Sequence, residues 1–145
     1  MISFFKQNTG FDIKSKNKIK TWLRSVAAGY GFAIGELNYI FCDDEYLLEI
    51  NRQYLGHDYY TDIITFDSRE DISSLKLDGD IFISVDTVRV NGAEYGEGFE
   101  REMMRVVAHG LLHLCGEDDH TKAQQKQMRA AENAALEQWD TIMMS

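Results

Sequence analysis

The chain has 145 residues, 44% of them hydrophobic and 27% charged, so it can bury the core of one domain without disulfides. Its formal net charge of −9 argues against a general nucleic-acid coat protein, because neutralising many phosphates needs clustered lysines and arginines. No apolar run is long enough to span a membrane, we expect no secretion signal from the residues Met1–Lys6, and two cysteines are too few for a disulfide framework. We therefore expect a cytoplasmic protein with reduced thiols.

Hydrophobic spacing predicts two strands and two helices in the first half of the chain. In order, they are a strand near Ile2–Phe5, a helix from about Ser15 to Tyr30, a strand over Glu36–Cys42 and a helix capped by Asp43 or Asp44. In the second strand, apolar residues alternate with other side chains, as in a half-buried strand. In the second helix, we expect Tyr46, Leu47, Ile50 and Tyr54 to share one side.

The second half of the chain begins with two β-rich segments and continues as helix. The segments Thr61–Asp67 and Gly79–Val85 flank a polar stretch that is typical of a hairpin connection. From Gly98 the pattern is helical and apolar all round, which predicts a buried helix that ends at Gly116. A last amphipathic helix follows, from about Thr121 to Trp139.

These elements predict a single α+β domain over residues 1–145. We expect a mixed sheet of about four strands packed against about five helices, one of them central and buried. The chain has no internal repeat, low-complexity tract or linker-like segment that would divide it.

Three of the four histidines lie close together in the sequence, at His109, His113 and His120. His109 and His113 are four residues apart, so on a helix both imidazoles project from one side and can reach one zinc ion. The spacing alone is a modest signal, because a lone core histidine usually just satisfies its hydrogen bonds. This helix is otherwise apolar, however, and burying two unpartnered imidazoles there would be costly.

A glycine turn after the pair returns the chain towards it. Gly116 allows a sharp reversal, and Asp119 follows three residues later with His120 beside it. The spacing favours Asp119 as the third ligand, whereas the general frequency of imidazole ligands favours His120. We predict that His109, His113 and Asp119 bind one Zn²⁺ ion. Three protein ligands with a free fourth position are typical of a catalytic zinc site.

The neighbouring residues bear on what such a site can do. Zinc peptidases with this layout have a glutamate directly after the first histidine, and here that residue is Gly110, which disfavours proteolysis. Glu117 and Asp118 could serve as the general base, but a solvated loop is the simpler interpretation, and the catalytic residues stay unassigned. Cys115 should face away from the pair as a small core side chain.

The run His-Gly-Leu-Leu-His-Leu-Cys-Gly at His109–Gly116 resembles the signature of the YbeY family, bacterial metal-dependent endoribonucleases of rRNA maturation. Two further stretches, at residues 51–66 and Gly79–Ser84, match the family in order and spacing, and the resemblance covers about residues 37–135. The family's third histidine falls at Asp119, and Leu55 replaces a family arginine.

The resemblance implies a zinc-dependent endoribonuclease that cuts single-stranded RNA. Its partner would be the small ribosomal subunit, in maturation of the 3′ end of 16S rRNA and in ribosome quality control. Asp80 and Ser84, on the strand expected to face the metal helix, would either orient a ligand or act as cap and core residues. Two alternatives stay open: a ribosome-assembly binding protein with structural zinc, which Leu55 and the acidic charge favour, and a zinc peptidase, which Gly110 disfavours.

Overall fold

A computed structural model describes residues 1–145 and contains the predicted four strands and five helices. In chain order they are β1 (Ile2–Gln7), α1 (Lys16–Gly29), β2 (Ala33–Cys42), α2 (Asp44–Leu55), β3 (Ile63–Asp67), β4 (Lys76–Ser84), α3 (Val85–Glu94), α4 (Phe99–Leu114) and α5 (Lys122–Met143). None of the helices has both the length and the apolar character that crossing a membrane requires.

The four strands form one mixed sheet in the order β1-β2-β4-β3. β1 and β4 both run parallel to β2, whereas β3 runs antiparallel to β4. The antiparallel pair confirms the predicted hairpin connection, and the backbone N–H of Ser68 donates to the carbonyl of Asp78 where the hairpin opens. The alternation in β2 is also confirmed, since Leu37, Tyr39 and Phe41 are all buried on one face.

Helix α3 was not predicted from the hydrophobic spacing. It begins directly after β4, and only Val85, Val88 and Gly92 along it are buried, so its amphipathic pattern is weak. The side chain of Ser84 accepts a hydrogen bond from the backbone N–H of Thr87 and caps the helix. Of the two roles considered for Ser84, capping is therefore the one present.

Helix α2 packs its predicted side against the core, because Tyr46 and Ile50 lie with Leu47 in one apolar cluster. Leu47, Leu48 and Asn51 are buried, whereas Tyr54 is exposed. The side-chain amide of Asn51 donates to the carbonyl of Tyr59, so a polar residue holds the loop after the helix from an interior position. The hydrophobic spacing identified the inward side of the helix, but it does not include this polar contact or the exposure of Tyr54.

Helix α4 is the predicted central helix, with ten of its residues buried. A Cβ atom on Gly110 would lie 2.8 Å from Cγ2 of Ile81 and 3.1 Å from Cδ1 of Ile63. Both distances are shorter than ordinary contacts, so the helix lies against the sheet at a separation that only glycine allows. This close approach fixes the depth at which the helix presents its histidines.

Gly110→Ala should therefore destabilise the protein by about 1–3 kcal/mol, the usual cost of overpacking a core. Urea unfolding followed by circular dichroism measures the effect. Gly29→Ala is the matched control, because Gly29 is also helical and has no atom within 4 Å of its added Cβ. That control should be neutral or stabilise the protein by up to about 1 kcal/mol. Equal stability of the two variants would contradict the close packing at Gly110.

Candidate metal centre

The loop between α4 and α5 is held at both ends. At the end of α4, the backbone N–H of Gly116 donates to the carbonyl of His113, and Gly116 has a φ of +106°, which favours glycine. At the start of α5, Thr121 and Gln124 form a reciprocal capping box. These two caps leave a short loop that contains Asp119, and the side chain of Gln125 donates to the Asp119 carbonyl.

The two ring nitrogens of His109 face two different carboxylates, those of Glu132 and Asp119. Its Nδ1 donates to Oε2 of Glu132 at 2.7 Å. Its Nε2 lies 3.5 Å from Oδ2 of Asp119. The structure thus brings the first and the third predicted ligands together, from a helix and from the loop that follows it.

His113 is oriented in the same way by a different acceptor. Its Nδ1 donates to the backbone carbonyl of Glu117 at 3.1 Å, just beyond the glycine turn. Its Nε2 has no hydrogen-bond partner. Metal-binding histidines usually donate one ring nitrogen to a carboxylate or a carbonyl, which fixes the tautomer and leaves the other nitrogen free for the ion.

These side chains line one pocket of about 440 Å³. His109, His113, Asp119 and His120 all border it, so the pocket by itself does not choose between the two candidates for the third ligand. No three His, Cys, Asp or Glu side chains are arranged closely enough to hold an ion as they stand.

The chemistry of the donor set nevertheless fits a zinc ion. Two imidazoles with fixed Nδ1–H tautomers and one carboxylate are donors that zinc accepts in proteins. The carboxylate already lies beside the free nitrogen of His109, and the backbone carbonyl of Asp119 accepts a hydrogen bond from Gln125 of α5. The residues present therefore match the group that the sequence predicts.

A buried network of charges beneath His109 was missed by the sequence analysis. Arg105 donates to Oε1 of Glu132 at 3.3 Å, and it also binds Glu97 and Asn133. The side chains of Arg105 and Glu132 are only 8% and 7% exposed. The sequence did contain a sign that Glu132 is buried. It lies four residues after Met128 and four before Leu136, on the apolar face of α5.

The charges around the pocket alter the acid–base behaviour of its residues. Burial alone lowers the pKa of His109, but the hydrogen bond to Glu132 and the nearby negative charges outweigh it and raise that pKa. Burial also raises the pKa of Asp62 and of Glu102, both of which border the pocket. The site therefore concentrates carboxylates around an imidazole, which is the electrostatic environment that attracts a cation.

The other residues considered from the sequence have structural roles. The carboxylate of Glu117 accepts hydrogen bonds from Tyr30 and Gln127, so it is engaged outside the pocket. Cys115 is buried in the core, as predicted, and burial raises the pKa of its thiol to about 12. Asp80 accepts from the side chain of Asn38 across the sheet and does not border the pocket.

Comparison with known proteins places this geometry in a family. The family model described as Endoribonuclease YbeY matches residues 2–140. A protein named Endoribonuclease YbeY from Cytophaga hutchinsonii is 50% identical over 135 residues, which is 93% of each chain. Its namesake from Bacteroides thetaiotaomicron is 51% identical over 125 residues, 86% of this chain and 88% of that one.

A similar fold is known from an experimental structure. The solution structure of a protein from Thermotoga maritima superposes with a TM-score of 0.64 at 26% sequence identity. The match covers 97% of this chain and 93% of the other. The arrangement of sheet and helices described above therefore extends to a relative of much lower sequence identity.

Proposed function

The chain belongs to the endoribonuclease YbeY family, and on this premise we propose that it is a zinc-dependent endoribonuclease specific for single-stranded RNA. Its enzyme class is hydrolase and its substrate is RNA, as the names of the relatives indicate. In this proposal the whole chain, residues 1–145, forms one endoribonuclease domain. It acts in the cytoplasm on the small ribosomal subunit, in maturation of the 3′ end of 16S rRNA and in ribosome quality control.

In this proposal the zinc ligands are His109, His113 and Asp119. The single observation that carries the assignment is that both imidazoles donate Nδ1 to a fixed acceptor, Glu132 Oε2 in one case and the Glu117 carbonyl in the other. Each Nε2 is then left as the free donor atom. The 3.5 Å approach of Asp119 to His109 supports the carboxylate over His120 as the third ligand.

A bound zinc ion supplies Lewis acidity towards a phosphoryl oxygen or a water molecule. The protein's contribution is to orient the ligands and to shape the pocket. Glu132 fixes the tautomer of His109, and the loop carbonyl of Glu117 does the same for His113. A single RNA strand can place an unstacked nucleotide in a pocket of this kind, which a paired base cannot reach without leaving its helix.

Incubation of the purified protein with labelled RNA, with and without a chelator, tests the proposed function. We expect cutting of a single-stranded oligonucleotide, loss of that cutting on chelation and its return when zinc is added back. The same oligonucleotide annealed to its complement should resist cleavage. Casein serves as the peptidase control and should stay intact. RNA cutting that survives full removal of metal, or cutting of casein in place of RNA, would contradict the proposal.

A further inference from the structure

Two arginine side chains border the metal pocket, and only one of them is available to a ligand. Arg105 is almost fully buried, and its guanidinium already binds Glu97, Glu132 and Asn133. Turning it towards a ligand would break these contacts and leave the buried carboxylate of Glu132 without its arginine partner. Arg105 is therefore not available to bind a ligand.

Arg129 is exposed, whereas Arg105 is buried. It lies on α5 at the edge of the pocket, and its side chain is 55% exposed. It makes no hydrogen bond within the protein. Its one ionic neighbour is Oε1 of Glu132 at 3.5 Å, an oxygen that Arg105 also uses. The donor groups of Arg129 are therefore free to meet an anion that enters the pocket.

A free guanidinium would add to the charge of the proposed zinc ion in attracting a phosphodiester to the pocket. Four carboxylates border it, from Asp62, Glu102, Asp119 and Glu132, against the two arginines. The whole chain carries a net charge of −9. A planar guanidinium with free N–H groups can bind a phosphate with two parallel hydrogen bonds, which makes it a specific counter-charge.

An exposed aromatic ring also borders the pocket. Tyr95 directly follows α3, is 60% exposed and makes neither an aromatic contact nor a side-chain hydrogen bond. Helices α3 and α5 both pack against α4, so Tyr95 and Arg129 reach the pocket from different neighbours of the helix that carries His109. A free aromatic face of this kind offers a surface on which a nucleobase can stack, whatever its sequence.

We propose that Arg129 and Tyr95 form a nucleotide subsite of the pocket, in which Arg129 binds a phosphate and Tyr95 stacks on a base. The inference rests on the proposed function and deepens it, because it assigns the residues that hold the RNA strand beside the metal ligands. The ligand is a nucleotide of single-stranded RNA. Neither residue takes part in bond cleavage in this proposal.

Binding of a fluorescein-labelled single-stranded RNA to the metal-free protein tests the subsite without relying on activity. Fluorescence anisotropy in a chelating buffer measures the Kd of Arg129→Gln, Arg129→Lys, Tyr95→Ala and Tyr95→Phe. We expect Arg129→Gln and Tyr95→Ala each to weaken binding by about fivefold or more. Arg129→Lys should recover part of the affinity and Tyr95→Phe nearly all of it, since a phenyl ring keeps the stacking face.

The salt dependence of binding separates the two roles. Loss of one phosphate contact should lower the slope of log K against log salt by about 0.7, the value per contact for single strands. We expect this change for Arg129→Gln and an unaltered slope for Tyr95→Ala. Arg24→Gln is the matched control, because Arg24 is exposed on α1, makes no salt bridge and does not border the pocket, yet the net charge changes equally.

Three outcomes would overturn the subsite. The first is an effect of Arg24→Gln as large as that of Arg129→Gln, which indicates a general charge effect. The second is unaltered binding in either Arg129→Gln or Tyr95→Ala. The third is a fall in zinc content in Arg129→Gln, measured by elemental analysis, which indicates that Arg129 acts through Glu132. Normal RNA cutting by these variants leaves the proposed function intact, whereas a wild-type protein that cuts no RNA defeats the proposed function itself.

Discussion

His113→Ala should abolish stoichiometric zinc binding and, with it, the cleavage of RNA. The substitution removes one of three proposed donors, and two remaining protein ligands are fewer than zinc sites in proteins normally have. The fold should survive, because the side chain of His113 is 36% exposed and its one hydrogen bond goes to a loop carbonyl. Elemental analysis of the purified variant measures the zinc, and circular dichroism checks the fold.

His57→Ala is the matched control for this variant. His57 is an exposed histidine that stacks on Tyr59 and does not border the pocket, so its removal should leave one zinc ion per chain. The pair Asp119→Ala and His120→Ala decides the third ligand in the same assay, and we expect zinc loss only in the first. Full zinc content in folded His113→Ala would defeat the ligand assignment.

Glu132→Ala should have two large effects, one on the metal and one on the fold. It removes the acceptor that fixes His109, and loss of such a partner typically lowers metal affinity by about 10–100-fold. It also removes one carboxylate from buried Arg105, which keeps Glu97 and Asn133, so the cost should stay below the roughly 3–5 kcal/mol of a buried charge left unpaired. The Nε of Arg105 already lacks a hydrogen-bond partner, so the buried guanidinium has little means of compensating.

Two further variants separate these effects. Glu132→Gln keeps the volume and one acceptor oxygen, so it can serve His109 or Arg105 but not both, and we expect intermediate losses. Glu137→Ala, at an exposed position on the same helix that makes no salt bridge, should alter neither property. Competition with a chromogenic chelator measures zinc affinity, and urea unfolding of the metal-free protein measures stability. Unchanged zinc affinity in Glu132→Ala would show that Glu132 does not orient His109 for metal binding.

The residues of the proposed metal site that could be predicted from the sequence are those whose relationship is local. His109 and His113 are one helical turn apart, and Gly116 turns the chain directly after them, so the distances along the chain already set their relative positions. The same holds for the periodicity of β2 and for the apolar character of α4, both confirmed by the structure. Local periodicity reports which face of an element is buried, and it needs no knowledge of the partner.

Helix α3 and the buried polar contact of α2 fall outside what such local rules determine. Helix α3 buries few residues, so its pattern carries little periodicity. In α2, the buried side chain of Asn51 donates to the loop carbonyl of Tyr59. The hydrophobic pattern of a helix does not encode a polar contact made by a neighbouring loop.

The charged contacts around His109 depend on the tertiary structure and could not be predicted from the sequence. Glu132 reaches His109 across 23 residues of sequence, and Arg105 reaches Glu132 across 27, because α5 packs back against α4. No spacing rule relates residues on two packed helices, since their register depends on how all the side chains between them fit together. The sequence therefore determined which side chains could bind the metal, and helix packing decided which charges hold them and that Arg129 stays free at the edge of the pocket.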